Sequence, residues 1–189
     1  MTTIPFDSAR ADRLMGEAGI DLLLTTSKHN VQYLLGGYRF IFFVAMDAIG
    51  HSRYLPFVIY ERGTPEHAGY VGNRMEGSEH AVNPFWTPNV HAAAWGATDA
   101  ARLAVEHVKA NARIGIEPSF LPLDAYQVLV DGLPDAVFVD ATGMLERLRA
   151  IKSPDELEKL RKASELITDS MLATFNAQPE GATKEDIVE

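Results

Sequence analysis

The chain has 189 residues, enough for one ordinary domain and an extension, and 47% of them are hydrophobic, so there is material for a real core. A formal net charge of -9 argues against a nucleic-acid partner, whose phosphates need Lys and Arg, and the absence of Cys excludes disulfides and thiolate metal sites. No stretch is long and apolar enough to span a bilayer, and Met1-Thr2-Thr3-Ile4-Pro5 has neither the basic start nor the apolar core of a signal peptide, so a cytoplasmic address is expected.

The first helix is expected to begin after Asp7 or Ser8, either of which can cap free backbone N–H groups. Ala11, Leu14, Met15 and Ala18 give it one apolar face, and Gly19 suits its C-terminal end. Ile20 to Thr26 reads as a buried strand, and His29 to Leu35 as a short helix stopped by Gly36-Gly37. Phe40 to Val44 and Tyr54 to Tyr60 are apolar runs rich in β-formers, with Pro56 pushing the second toward an edge or a bulge. Met46 to Arg53 would be the hairpin connection between them. Residues 63–97 are rich in Gly, Pro, Asn and His, with weak strands expected near Gly69–Val71 and His80–Val82.

Regular patterning returns at Thr98. Ala101, Ala104, Val105 and Val108 predict an amphipathic helix, Arg113 to Glu117 a short strand, and Leu123, Tyr126, Leu129 and Val130 a helix stopped by Gly132 and Pro134. Ala136 to Asp140 is the last strand, with a helix over Gly143 to Ile151. Strands alternating with helices predict an α/β layered domain, and the central hairpin makes its sheet mixed.

The segment Ser153-Pro154-Asp155-Glu156 is a capping box with Pro at the first helical position, and it opens a helix carrying Leu157, Leu160, Ala163, Ile167, Met171 and Phe175 on one stripe. Pro179 and Gly181 end that helix, and Thr183-Lys184-Glu185-Asp186 looks like the cap of another. The C-terminus falling one turn into a helix is expected to be a boundary of the fragment rather than a natural end.

Catalytic motifs are sparse. There is no His-Glu-x-x-His, no Gly-Lys-Ser/Thr phosphate loop and no dinucleotide-type glycine triplet. Gly50-His51-Ser52-Arg53-Tyr54 starts like a nucleophile elbow but has Tyr where the last Gly belongs, in a hairpin setting. The six His residues are scattered, with no metal-ligand spacing on a helix, and His107 reads as solvated.

Three segments together resemble the N-terminal domain of the creatinase, prolidase and aminopeptidase P group, the pita-bread hydrolases. They are Gly19-Ile20-Asp21 with its strand, followed by Asn30-Val31-Gln32-Tyr33-Leu34 and Gly36-Gly37; Ile114-Gly115-Ile116-Glu117; and Arg149-Ala150-Ile151-Lys152-Ser153-Pro154 with the helix after it. The resemblance implies an α/β fold: a mixed six-stranded sheet flanked by helices, ribonuclease H-like in outline, followed by a linker helix. Residues 1–150 would be the N-terminal domain, and 151–189 the linker helix and the start of a pita-bread domain.

In peptidase members that next domain holds two divalent metals, such as manganese, cobalt or zinc, with two Asp, two Glu and a His. All of those positions would lie beyond Glu189, so no catalytic or metal-binding residue and no cofactor is assigned here. The N-terminal domain of the group usually helps form a homodimer, and its loops close over the partner subunit's active site. Tyr38, Arg39, Phe40, His51, Arg53 and Trp86 are the candidates for that lid, an Arg being suited to a substrate carboxylate.

The leading expectation is the dimerising and capping domain of a cytoplasmic Xaa-Pro peptidase-like metallohydrolase, inert by itself. The alternatives are the same domain of a creatinase-like, non-peptidase hydrolase, or a free-standing dimerisation or binding domain. The stripe of Leu157, Leu160, Ile167, Met171 and Phe175 would pack on the missing catalytic domain; without it the helix could fold back on its own domain or pack on a second copy, and residues 154–176 are expected to be buried in a homodimer contact.

Overall fold

The computed structural model describes residues 3–43 and 53–188, arranged as two units, residues 1–148 and 149–189. The first unit is built on a six-stranded mixed sheet: β1 (Leu22–Thr25), β2 (Phe57–Glu61), β3 (Gly69–Asn73), β4 (Asn89–Ala94), β5 (Arg113–Ile116) and β6 (Val137–Asp140). Its strand order is β4-β3-β2-β1-β5-β6. The pairs β1–β2 and β2–β3 are antiparallel, while β3–β4, β1–β5 and β5–β6 are parallel. This is the α/β fold with a mixed six-stranded sheet that the sequence resemblance implied.

Side chains alternate between the two faces of the sheet, as the strand period requires. Leu23, Val58 and Tyr60 enter one core with α1 (Ser8–Ala18), α2 (Lys28–Leu34) and α6 (Thr142–Ala150). Leu22, Leu24, Phe57 and Ile59 enter the other, with α4 (Ala97–Glu106) and α5 (Leu123–Gly132). Helices cover both faces, so β1 and most of β2 are buried on every side and read as continuous apolar runs.

The caps follow the local sequence. Asp7 accepts a hydrogen bond from the Arg10 amide and starts α1, and Ser27 starts α2. Gly132 is the last residue of α5 rather than a stop after it. A Cβ there would lie 2.8 Å from a Val105 methyl, so the glycine lets α5 approach α4.

Several elements differ from their sequence pattern. Ile41–Phe43 forms a 3₁₀ turn where a strand was expected, and Phe40 packs instead on the rings of Phe42 and Tyr54. Aromatic β-formers serve core packing as readily as a ladder, so tertiary contacts override propensity here. Val44, the Met46–Ser52 stretch of the expected hairpin connection and Ser52 itself lie outside the described residues. The next strand starts at Phe57, directly after Pro56, and runs inside the sheet rather than at its edge. Pro lacks the amide that a ladder needs, so it stands just before the strand.

The segment expected as a weak strand at His80–Val82 is helical, within α3 (Gly77–Val82). The true edge strand, β4, has the sequence Asn-Val-His-Ala-Ala-Ala, without the alternation that marks a half-buried strand. Leu123, expected on the apolar stripe of α5, is exposed, and Ala125 and Leu129 make the buried contacts.

The second unit contains α7 (Pro154–Ala177) and α8 (Lys184–Val188). The capping box is formed as read: Ser153 Oγ accepts from the Glu156 amide at 3.2 Å, and the Ser153 amide donates to Glu156 Oε2 at 2.8 Å. Thr183 Oγ1 likewise accepts from the Asp186 amide at the start of α8. Leu157, Leu160, Ile167, Met171 and Phe175 are all more than half exposed, as are Leu166 and Leu172.

Candidate functional site

A charged cleft lies where β1 and β5 end side by side, the end of a parallel pair at which α/β sheets hold ligands. There the chain leaves β1 through Thr26 and Ser27 into α2, and Glu117 follows β5. The Glu117 side chain is fully buried. Its Oε2 accepts from the amides of Thr26 and Ser27, both at 2.8 Å, and its Oε1 from Asn30 Nδ2 at 2.6 Å. A carboxylate buried without such donors would be costly, and amides at a helix start are donors without intrahelical partners, so each satisfies the other. Thr26 Oγ1 donates to the Pro56 carbonyl at 2.8 Å, tying the approach to β2 into the same knot.

Above this knot is a cleft of about 360 Å³ whose lining includes Ser27, Lys28, His29, Arg53, Ser119 and Phe120. The His29 ring stands edge-on to Phe120 with centroids 5.3 Å apart, and its Nε2 lies 3.3 Å from Ser27 Oγ. Two cationic side chains, two hydroxyls and an imidazole against an apolar wall of Phe120 and Leu55 suit a small organic anion. A guanidinium fork matches a carboxylate in particular.

A second cleft, about 390 Å³, opens beside Gly36, Gly37, Tyr38 and Trp86. Gly36 and Gly37 have φ of 70° and 102°, which turns the chain off the end of α2 toward Tyr38. The Trp86 indole donates to the Leu34 carbonyl at 2.6 Å and its ring packs edge-on to Phe6. Tyr38 is anchored through its hydroxyl, which donates to Glu76 Oε2 at 2.8 Å.

Glu76 is the second buried carboxylate, 1% exposed. It closes a capping box with Asn73, whose amide donates to Oε1 at 2.6 Å, and Tyr70 donates to Oε2 at 2.7 Å. The Tyr54 and Tyr70 hydroxyls are 3.0 Å apart. Burial pushes the Glu76 carboxyl above its ordinary range, although hydrogen bonds from Tyr70, Tyr38, the Asn73 amide and Tyr54 oppose the shift. Burial and the nearby Glu76 charge push the Tyr38 and Tyr54 hydroxyls up. Burial, Tyr54 and Glu76 do the same for Tyr70. All three therefore stay protonated. Gly72 makes room for the cluster: a Cβ would lie 2.6 Å from a Tyr70 ring carbon and 2.8 Å from Glu76 Oε1.

The residues singled out from the sequence divide between these places. Tyr38 and Trp86 share the second cleft, and Arg53 lines the first. Arg39 is exposed, and Phe40 is buried in the core, where its ring supports Phe42 and Tyr54. His51 lies outside the described residues. Sequence reasoning missed Lys28, His29, Ser119 and Phe120 as cleft residues and both buried carboxylates. Two signals were available: Asn30, whose side-chain amide donates to Glu117, and Glu117 itself, the last residue of the segment Ile114-Gly115-Ile116-Glu117.

Among the described residues no group of three or more His, Asp or Glu side chains is placed to hold a metal ion. His107 is exposed, but its ring stacks on His91 with centroids 3.5 Å apart. Burial and His107 lower the pKa of His91.

Comparison with known proteins agrees with this architecture. The family model of the creatinase/prolidase N-terminal domain matches residues 8–151. No match is found among curated proteins. Among solved structures, the Xaa-Pro dipeptidase from Bacillus anthracis is similar with a TM-score of 0.68 at 18% identity, covering 95% of this chain and 45% of that one. The prolidase from Thermococcus sibiricus gives a TM-score of 0.70 at 16% identity, covering 99% of this chain and 48% of that one. The N-terminal domain of the cytoplasmic peptidase PepQ from Mycobacterium tuberculosis H37Rv gives 0.51 at 20% identity, over 75% of this chain and 99% of that one. The chain thus spans less than half the length of the two longer enzymes. At these identities the structural likeness concerns the fold. The family match covers well over half of the chain, and it shows that the chain belongs to the creatinase/prolidase N-terminal domain family.

Proposed function

We propose that residues 1–150 are the dimerising and active-site-capping domain of an Xaa-Pro peptidase-like hydrolase, with residues 151–189 leading into its catalytic domain. The observation that carries this reading is the Arg53 cleft, set in a domain of the prolidase N-terminal family. An Xaa-Pro dipeptide ends in a carboxylate, and Arg53 with Lys28 supplies the charge and hydrogen-bond geometry for one.

In this reading the catalytic domain holds two divalent ions, manganese, cobalt or zinc. When bound, such a pair supplies the hydroxide nucleophile and polarises the scissile carbonyl. The share of the present chain is recognition. Arg53 and Lys28 fix the carboxylate end of the substrate of the partner subunit, while Phe120 and Leu55 limit the water around it. Glu117 holds the start of α2, which carries Lys28 and His29, against β5 and so keeps the cleft in shape. Tyr38 and Trp86 line a neighbouring wall of the lid.

Steady-state kinetics of the whole hydrolase test this reading. A charge-assisted hydrogen-bonded contact contributes about 1.5–3 kcal/mol, so Arg53→Ala should raise KM for an Xaa-Pro dipeptide about ten- to hundredfold with little change in kcat. An unchanged KM would contradict the assignment of the cleft. Creatinase-like chemistry would show instead as turnover of a small amidino substrate and none of a dipeptide.

A further inference from the structure

Two arginines, Arg39 and Arg53, are each next to a tyrosine of the Glu76 cluster. Tyr38 precedes Arg39 and Tyr54 follows Arg53. Tyr38 reaches Glu76 directly, at 2.8 Å. Tyr54 is tied to it through Tyr70, over steps of 3.0 and 2.7 Å, beside its own hydrogen bond to Glu76. Glu76 itself is fixed from a third direction by the Asn73 amide at 2.6 Å. We infer that Glu76 is a positioning residue: one buried carboxylate clasps the chain on both sides of residues 39–53 and so sets the backbone from which Arg39 and Arg53 project.

The chemistry suits a clasp better than ordinary packing. The three tyrosines would fill the same volume as phenylalanines, and a wholly apolar cluster of that shape would be at least as stable as one built around a buried carboxylate. A carboxylate at this place instead gives direction. Its Oε2 accepts two hydroxyls, one from the Tyr38 segment and one from β3, and each must keep its angle to be satisfied. Tyr38 and Tyr54 lie on opposite sides of the segment in sequence, so losing either loosens one side only, while losing Glu76 loosens both. Gly72 is needed for the same reason, since any side chain there would displace Tyr70 and Glu76 together. The role in substrate recognition rests on the proposed carboxylate contact of Arg53, whereas the clasp itself rests on the hydrogen bonds alone.

Hydrogen exchange read by mass spectrometry on residues 1–189 tests the clasp. In Glu76→Gln an NH2 group replaces one acceptor oxygen, facing either the Tyr38 and Tyr70 hydroxyls at the Oε2 position or the Asn73 amide at the Oε1 position, so the clasp is weakened as a whole; Glu76→Ala removes it. The expected result is at least a tenfold rise in exchange at residues 38–43 and 53–56 in Glu76→Ala, with β1 and β5 unchanged. Tyr38→Phe should affect only the first segment and Tyr54→Phe only the second. Unchanged exchange in both segments, or an equal rise in every strand of the sheet, would overturn the inference. If the alanine variant fails to fold, the two phenylalanine variants decide by the same criterion.

In the whole hydrolase, Glu76→Gln should raise KM for an Xaa-Pro dipeptide several-fold and leave kcat unchanged. If Arg53→Ala leaves KM unchanged while the exchange pattern appears, the recognition reading fails and the clasp stands. If Arg53→Ala raises KM and the exchange pattern is missing, the clasp alone fails.

Discussion

Two carboxylates without solvent, Glu76 and Glu117, do the most specific work in this domain, and they do it in different ways. Glu117 is matched by three donors: the Thr26 and Ser27 amides and the Asn30 amide group. Replacing it with Ala would leave those donors buried and unsatisfied, which by the usual cost of breaking such a network should destabilise the domain by on the order of 3 kcal/mol. Urea unfolding of Glu117→Ala checks this, and a loss under about 1 kcal/mol would mean that water replaces the carboxylate.

Glu76 gives a pH signature instead. Its folded pKa is raised, chiefly by burial, among Tyr38, Tyr54, Tyr70 and the nearby Glu79. The stability it contributes is therefore complete below the pKa of an unfolded glutamate, about 4.3, and is lost as the pH rises through the higher folded value. Glu76→Gln should remove that decline, so the stability of the variant relative to the parent should rise between about pH 4 and the neutral range. Urea midpoints that move in parallel for both proteins across that interval would contradict it. The role of Glu117 was not legible in the sequence, because its donors lie 87 to 91 residues away, whereas Glu76 was missed although its capping partner Asn73 is three residues before it. The caps Asp7 and Ser153 were legible, because their partners lie within three residues.

At the scale of elements, the readable ones have a strong local period. The helices α1, α4 and α7 fall where their apolar spacing puts them, within a residue or two. The strands β1, β5 and β6 are short apolar runs between turn signals and were found for the same reason. β4 was missed because an edge strand of Asn, His and Ala carries no apolar alternation, and the Phe40 run was misread because its rings serve packing.

The period of α7 also makes a prediction. Leu157, Leu160, Ile167, Met171 and Phe175 lie exposed along one helix, and covering each would contribute about 1.5–3 kcal/mol. A stripe of that kind is expected to pair with a second copy of the chain, since two-fold dimers are the commonest assembly. Residues 1–189 should therefore sediment as a dimer at micromolar concentration, and Ile167→Glu, in the middle of the stripe, should give a monomer of unchanged secondary structure. A parent chain already monomeric at that concentration would contradict the pairing.

For the molecule as a whole, the family and the architecture were legible and the site was only partly so. The order of three segments, around Gly19, Ile114 and Ser153, pointed to the creatinase/prolidase N-terminal domain, and the six-stranded mixed sheet and the family match agree. Of the residues chosen for the lid, Arg53 lines the charged cleft, Tyr38 and Trp86 line another, and Phe40 is core. Sequence spacing alone could not divide them, because the division follows from the strand order. In the proposed function this domain recognises substrate for an active site on a partner subunit. The most direct measurement mixes two impaired forms of the whole hydrolase, Arg53→Ala, which is weak at low substrate, and an inactive form with its metal ligands removed, and assays Xaa-Pro cleavage after subunit exchange at a substrate level well below KM. Action across the dimer predicts recovery to about a quarter of the parent's activity, because random pairing makes half of the dimers mixed and each mixed dimer holds one complete site. No recovery, with mixed dimers shown to have formed, would contradict it.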